Sequence, residues 1–341
     1  MVDANSALFS HLENYCLRRG EPLESAGRRR YVTTTPLERE YLKDLKVASC
    51  IRFGNHRSLT HLWKSEEHYI GLLGFDIEPE LPQVTPVAVN GGMATCLLSE
   101  VKPLPLAGPA QIRNIVEVGS MDDSDYSGHD CTAIQSLFPR IQMLQCSQPL
   151  DKDSAWRLFL MLCAEECREG GSWVEAGLSD ALVSLTDLNV PFMPYPAICR
   201  SMFDADPRSL FMALYRCIEA TYAYESSRRL VERLALKTSW QDVAAALESE
   251  LGWHPQEAMS LNLVLQYALE QDLREICSCL DVVDIGKDVQ TAAGRAIYSL
   301  RNSVVHFRPG AREVEVEDID WNKLCCLMIG VVFSVFTHAY S

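Results

Sequence analysis

The 341-residue sequence predicts an α+β protein in two parts, an N-terminal α/β region (1–195) and a C-terminal all-α helical bundle (196–341). Three observations carry that division. From Tyr31 to Gly119, short β-type runs are broken by turn residues. Pro191, Pro194 and Pro196 then interrupt the chain. Beyond them the apolar residues recur with helical period almost to the end. A length of 341 residues is also more than one core usually fills.

In the first part, KVASCIRF (46–53), HYIGLLGFDI (68–77), TPVAVNGGMATCLL (85–98) and QIRNIVEV (111–118) read as strand-forming runs. Asn90-Gly91-Gly92 splits the third as a hairpin turn, because Asn and Gly tolerate the positive φ of tight turns. It is not a phosphate loop, since it lacks the following helix and lysine. MDDSDYSGHD (121–130) is an exposed acidic loop, and helices follow near 153–168 and 172–188. In the second part, helices are expected at 208–236, 240–251, 255–280, 287–307 and 318–340. Asp206-Pro207 opens the first, Pro255 stands in the first turn of the third, and Arg308-Pro309-Gly310 closes the fourth. Long helices with short connections imply an antiparallel bundle.

Composition narrows the function classes. A net charge of −15 repels polyanions at long range, so a broad, sequence-blind nucleic-acid coat is disfavoured and a local basic site is not. The 13 cysteines lie mostly in apolar helical contexts and make no paired C-x2-C pattern. They read as reduced core thiols, and with no secretory leader pattern at the start a cytoplasmic protein is expected. The most apolar run, 324–336, falls short of the ~18 residues that span a bilayer and reads as a buried helix, so no membrane partner is expected.

The chemistry concentrates in SLRNSVVHF (299–307). At ~100° per residue, Ile297, Leu300, Val304 and Phe307 form the core stripe of the fourth helix. Asn302 and His306, four apart, are neighbours on the opposite side, and Arg301 lies at the edge of the stripe. The Arg-Asn-x3-His spacing, late in a bundle of helices, resembles the R-x4–6-H signature of HEPN domains. Residues 209–224, SLFMALYRCIEATYAY, look like the long helix of the abortive-infection type, with an apolar run followed by Glu219. The resemblance covers about residues 200–341.

That resemblance implies a metal-independent endoribonuclease without a cofactor, leaving a 2′,3′-cyclic phosphate, with two motifs meeting across a homodimer interface. It implies a toxin or anti-phage effector acting on RNA such as tRNA or mRNA. Arg301, Asn302 and His306 would be catalytic, with Glu219 and Arg308 supporting. The residue types suit the task. Histidine transfers protons near neutral pH, and arginine's planar fork fits a phosphate as charge develops. His306 also sits in the last turn before Pro309, where a helix dipole favours cations. Family members controlled by tyrosine modification carry a tyrosine after the histidine. Here His306-Phe307-Arg308 has none, so control is expected through residues 1–195, by a protein or phage-derived trigger. The alternative is a non-catalytic HEPN-like module that binds a nucleotide or a protein.

Other residues are weaker candidates. Arg228, Arg229 and Arg233 form a basic edge that could track RNA phosphates, or a solvated face paired with Glu225 and Glu232. His56, His61 and His68, with Glu66 and Glu67, have spacings that fit no metal-ligand set and read as a solvated loop and strand edge.

Overall fold

The computed structural model describes residues 2–340 apart from 25–28, 118–125, 189, 191–192, 286–287 and 307–315. The chain divides into units of residues 1–159 and 160–341. The predicted proline break therefore lies inside the second unit, where Pro194 and Pro196 open a short helix. Phe307, Arg308, Pro309 and residues 121–125 of the predicted acidic loop lie outside the described residues.

The first unit runs through α1 (Val2–Leu17), α2 (Glu38–Asp44), β1 (Lys46–Phe53), β2 (Arg57–Lys64), β3 (Glu67–Leu73), β4 (Val84–Val87), α3 (Gly91–Val101), α4 (Pro109–Val116), α5 (Cys131–Gln135) and β5 (Ile141–Cys146). Helix α6 (Lys152–Glu166) carries the chain into the second unit. The sheet order is β1-β2-β3-β5-β4, and every pairing is antiparallel. This makes the unit α+β rather than a parallel α/β arrangement. Pro86, which cannot donate to a ladder, sits on the edge strand β4.

Two predicted strands are helical instead. Only the start of TPVAVNGGMATCLL is a strand, and the rest forms α3. Asn90 is not in a hairpin. Its Oδ1 accepts from the N–H of Met93 (2.9 Å), so it caps the helix, the other role for which Asn is suited. Residues 111–116 of QIRNIVEV fall in α4, where Ile112 and Val116 are buried at helical rather than alternating spacing. Helix α3 is buried almost all round, with Glu100 its one exposed residue. Met93, Leu97 and Val101 pack with Leu62, Tyr69 and Met143 of the sheet. Leu98 packs with Leu8 and Leu12 of α1 and with Ile112 and Val116. Each such side chain contributes about 1.5–3 kcal/mol by leaving water. Gly92 permits the contact with α2, since a Cβ there would lie 2.1 Å from the Glu38 carbonyl oxygen.

The second unit contains α7 (Ala176–Ser184), α8 (Tyr195–Ser201), α9 (Arg208–Glu219), α10 (Tyr224–Arg233), α11 (Trp240–Leu251), α12 (Glu257–Val264), α13 (Glu270–Cys279), α14 (Val289–Val305) and α15 (Trp321–Ala339). The predicted helix 208–236 is two helices. At the break, the Thr221 hydroxyl bonds the Ile218 carbonyl (2.7 Å), a local side-chain bond that competes with helix continuation. The predicted helix 255–280 likewise divides into α12 and α13, and Pro255 stands before the cap residue Gln256 rather than in the first turn. Helix α15 is the centre of the unit, packing on α7, α9 and α13. It is 19 residues long with a mean hydropathy of 1.5, so length and composition alone would let it cross a membrane. The apolar run 324–336 understated its length. Half of it is buried, with Leu324, Met328, Val332 and Phe336 in the core.

On the sheet, His61 is not part of a solvated edge. It is 3% exposed, and its Nε2 lies 2.8 Å from Nδ1 of His68. The Leu150 N–H also reaches that Nδ1 (3.1 Å), which makes Nδ1 the acceptor and His61 Nε2 the donor. Burial, with His68 adding to it, pushes the His61 imidazole down to about 4. The unfolded chain therefore binds a proton near pH 6.5 that the folded chain refuses. Stability should be independent of this group above that pH and should fall as pH drops from there toward 4. Denaturant midpoints across this window, for wild type and His61→Phe, test it. The variant should lose part of the acid slope, and an unchanged slope would refute the assignment.

Candidate functional site

Helix α14 begins at Asp288, whose Oδ1 accepts from the N–H of Thr291 (3.1 Å). Its buried stripe is Val289, Ala293, Ile297 and Leu300, as the wheel predicts over these turns. The last turn departs from the prediction. The helix stops at Val305, and His306 is the C-cap with extended backbone, its N–H on the Asn302 carbonyl (2.9 Å). His306 is exposed, and so is Val305 beside it at 46%.

Arg301 turns the other way, into the bundle. Its side chain is 15% exposed. Nη1 donates to Oδ1 of Asn302 (3.1 Å), and Nη2 lies 3.4 Å from Oε1 of Glu257 and 3.6 Å from Oε1 of Glu219. The guanidinium carbon is 5.8 Å from the centroid of the Tyr215 ring, whose hydroxyl bonds that of Tyr222 (2.8 Å). Its Nε is buried with no hydrogen-bond partner among the described residues. Burial pushes the Glu219 carboxyl up, against the opposing pull of Arg301, and Glu257 adds to the rise.

Of the predicted set, then, Arg301, Asn302 and Glu219 come together, while His306 caps the same helix at the surface and Arg308 lies outside the described residues. Sequence reasoning missed Tyr215 and Glu257. Tyr215 had a signal, because it stands four residues before Glu219 on the same helix and must share its face. Glu257 had none, because only tertiary packing brings the start of α12 to α14.

The three arginines of α10 differ from one another. Glu225 is buried and accepts from the Tyr267 hydroxyl, from Arg228 Nη2 (3.2 Å) and from Arg229 Nε (3.1 Å). Burial opposes its ionisation, but those donors prevail and hold its carboxyl below the usual range. Arg228 also pairs with Glu232. Two of the three are thus bound to carboxylates, and Arg233 is exposed. Among the described residues, no three His, Cys, Asp or Glu side chains group as metal ligands.

Removing the guanidinium alone should reveal its structural share. Arg301→Ala leaves Glu219 and Glu257 facing each other without a cation, at a cost of about 1–3 kcal/mol near neutral pH. The cost should shrink as pH falls, because protonation removes the repulsion, beginning above the ordinary carboxylate range at Glu219. Urea midpoints at neutral and mildly acidic pH measure it. A cost that is absent, or constant with pH, would show that the ion pairs contribute little.

No family model matches the chain, and neither a curated protein nor a solved structure matches it.

Proposed function

We propose that the C-terminal unit is a HEPN-type, metal-independent endoribonuclease that cleaves RNA with Arg301 and His306. The observation that carries this reading is the grouping of Arg301 with Asn302 and Glu219, one turn from an exposed His306 on the same helix. A fixed cation and an accessible imidazole are what 2′-hydroxyl attack on the adjacent phosphorus requires. The imidazole takes the 2′-hydroxyl proton, the new P–O2′ bond closes a 2′,3′-cyclic phosphate as the P–O5′ bond breaks, and the 5′-oxygen leaves with a proton from water. Arginine stabilises the charge that grows on the phosphoryl oxygens. Glu219 orients the guanidinium, and Asn302 holds its Nη1.

Within one chain Arg301 faces the bundle and His306 faces solvent. A shared cleft in a homodimer would bring an arginine of one copy to the histidine of the other, and the exposed Val305 beside His306 suits burial there. The first unit would then regulate the nuclease in response to a protein or phage-derived trigger, in a toxin or anti-phage role. The second reading, a non-catalytic module that binds a nucleotide or protein, is favoured by one fact. Two carboxylates already hold Arg301, which reduces the positive charge available to a phosphate.

The test is cleavage of total cellular RNA by the purified protein in excess chelator, beside His306→Ala. Because His306 is exposed, the variant should melt with wild type while losing cleavage. Equal cleavage by both proteins would remove the nuclease reading. A monomer that cleaves at full rate would remove the shared cleft.

A further inference from the structure

The first unit holds a basic cavity that the nuclease reading does not use. A cavity of about 330 Å³ lies between the C-terminal half of α1 and the segment following α3. Its polar lining is Ser10, His11, Asn14, Arg18, Arg19 and Lys102, and no described Asp or Glu lines it. That is notable in a chain of net charge −15. Ser10, Asn14 and Arg18 recur at four-residue spacing, so they form one row along α1.

The lining is held in place from several sides. The Arg19 guanidinium lies 3.7 Å from the centroid of the Tyr15 ring, and the Tyr15 hydroxyl donates to the Ala107 carbonyl (3.2 Å). His11 donates from Nε2 to the Pro103 carbonyl (2.7 Å) and stacks on Phe138. Lys102 ends α3 in the left-handed region (φ 48°, ψ 54°), which residues with a side chain rarely enter. Among the described residues, Arg18, Arg19 and Lys102 take part in no ion pair. Three such cations around one cavity repel each other. The C-termini of α1 and α3 offset part of that repulsion, and an anion in the cavity would offset more.

We propose that this cavity binds the phosphoryl groups of a small phosphorylated molecule, with a pyrophosphate group as the recognised element. Arginine forks and a lysine ammonium are the groups that grip phosphate oxygens, and Ser10 and Asn14 add neutral donors. The volume is at the lower end of ligand pockets, which run from about 300 to 1,000 Å³, so it suits a small molecule. The acidic chain around it disfavours a polymer at long range. A ligand here would act on the unit for which a regulatory role is proposed, yet its binding does not depend on RNA cleavage.

Isothermal titration of the full chain in chelator tests the site, with inorganic pyrophosphate, ATP and AMP as probes and sulfate at matched ionic strength as the control. Pyrophosphate or ATP should bind saturably at one site, and AMP and sulfate weakly. Equal affinity for pyrophosphate and ATP would assign recognition to the pyrophosphate group, and tighter ATP binding would add the nucleoside; both support the proposal. Arg18→Ala with Lys102→Ala changes two exposed side chains and should weaken binding roughly tenfold or more per cation lost. Its melting temperature without ligand should stay at the wild-type value, which separates loss of the site from loss of fold. No binding at millimolar pyrophosphate and ATP, sulfate binding as tightly as pyrophosphate, or undiminished binding by the folded double variant would each overturn the proposal.

Discussion

The guanidinium of Arg301, set between Glu219 and Glu257 and beside the ring of Tyr215, is the contact on which the second unit's functional reading rests. It joins three helices that are distant in sequence, because α9 supplies Glu219 and Tyr215, α12 supplies Glu257, and α14 supplies the arginine. A slip of one residue in α14 would turn Arg301 about 100° away from both carboxylates. The net contribution of the pairs is modest because desolvation of each group offsets much of the attraction, whereas removing the guanidinium alone leaves two carboxylates uncompensated. Their stronger effect is on orientation. Two carboxylates and the Asn302 amide hold a long, rotamer-rich side chain in one arrangement, which under the proposed function would lower the entropy lost on engaging a phosphate.

The same contact explains why the two ends of the motif differ. Arg301 belongs to the part of α14 that packs, whereas His306 falls just past the last helical residue and is exposed. Extended backbone at His306 also takes the imidazole off the helical wheel. Its position relative to the arginine is therefore not the angle a continuous helix would give. A cation fixed by packing and an imidazole left at the surface are complementary properties. In the proposed cleavage the first needs a rigid frame and the second needs access to RNA.

Much of this was legible in the sequence wherever period and chemistry agreed. The upper stripe of α14, helix α11 and the strands β1 and β3 could be read, since each repeats one pattern over several residues, whereas β2 and β5 were not. The grouping of Glu219 with Arg301 entered through family resemblance rather than spacing. What misled was context. Asn90-Gly91-Gly92 has the chemistry of both a hairpin turn and a helix start, and only the enclosure of α3 decides between them. The run of helix from 208 to 236 hides the Thr221 bond that breaks it. His61 was read with His56 and His68 as a solvated loop and strand edge, although Leu59, Leu62 and Trp63 flank it; strand pairing buries it beside His68. Glu257 and the basic cavity of the first unit arise from tertiary packing alone, which no local pattern records.

The central claim is that Arg301 acts through its planar fork and not merely through its charge. Arg301→Lys keeps a cation between Glu219 and Glu257 but offers a single ammonium in place of two parallel donors. Single-turnover cleavage of RNA in chelator, measured beside the melting temperature, separates the two roles. The account predicts a rate lower by about 10²–10³-fold with little change in melting temperature. A lysine variant that cleaves at close to the wild-type rate would contradict it.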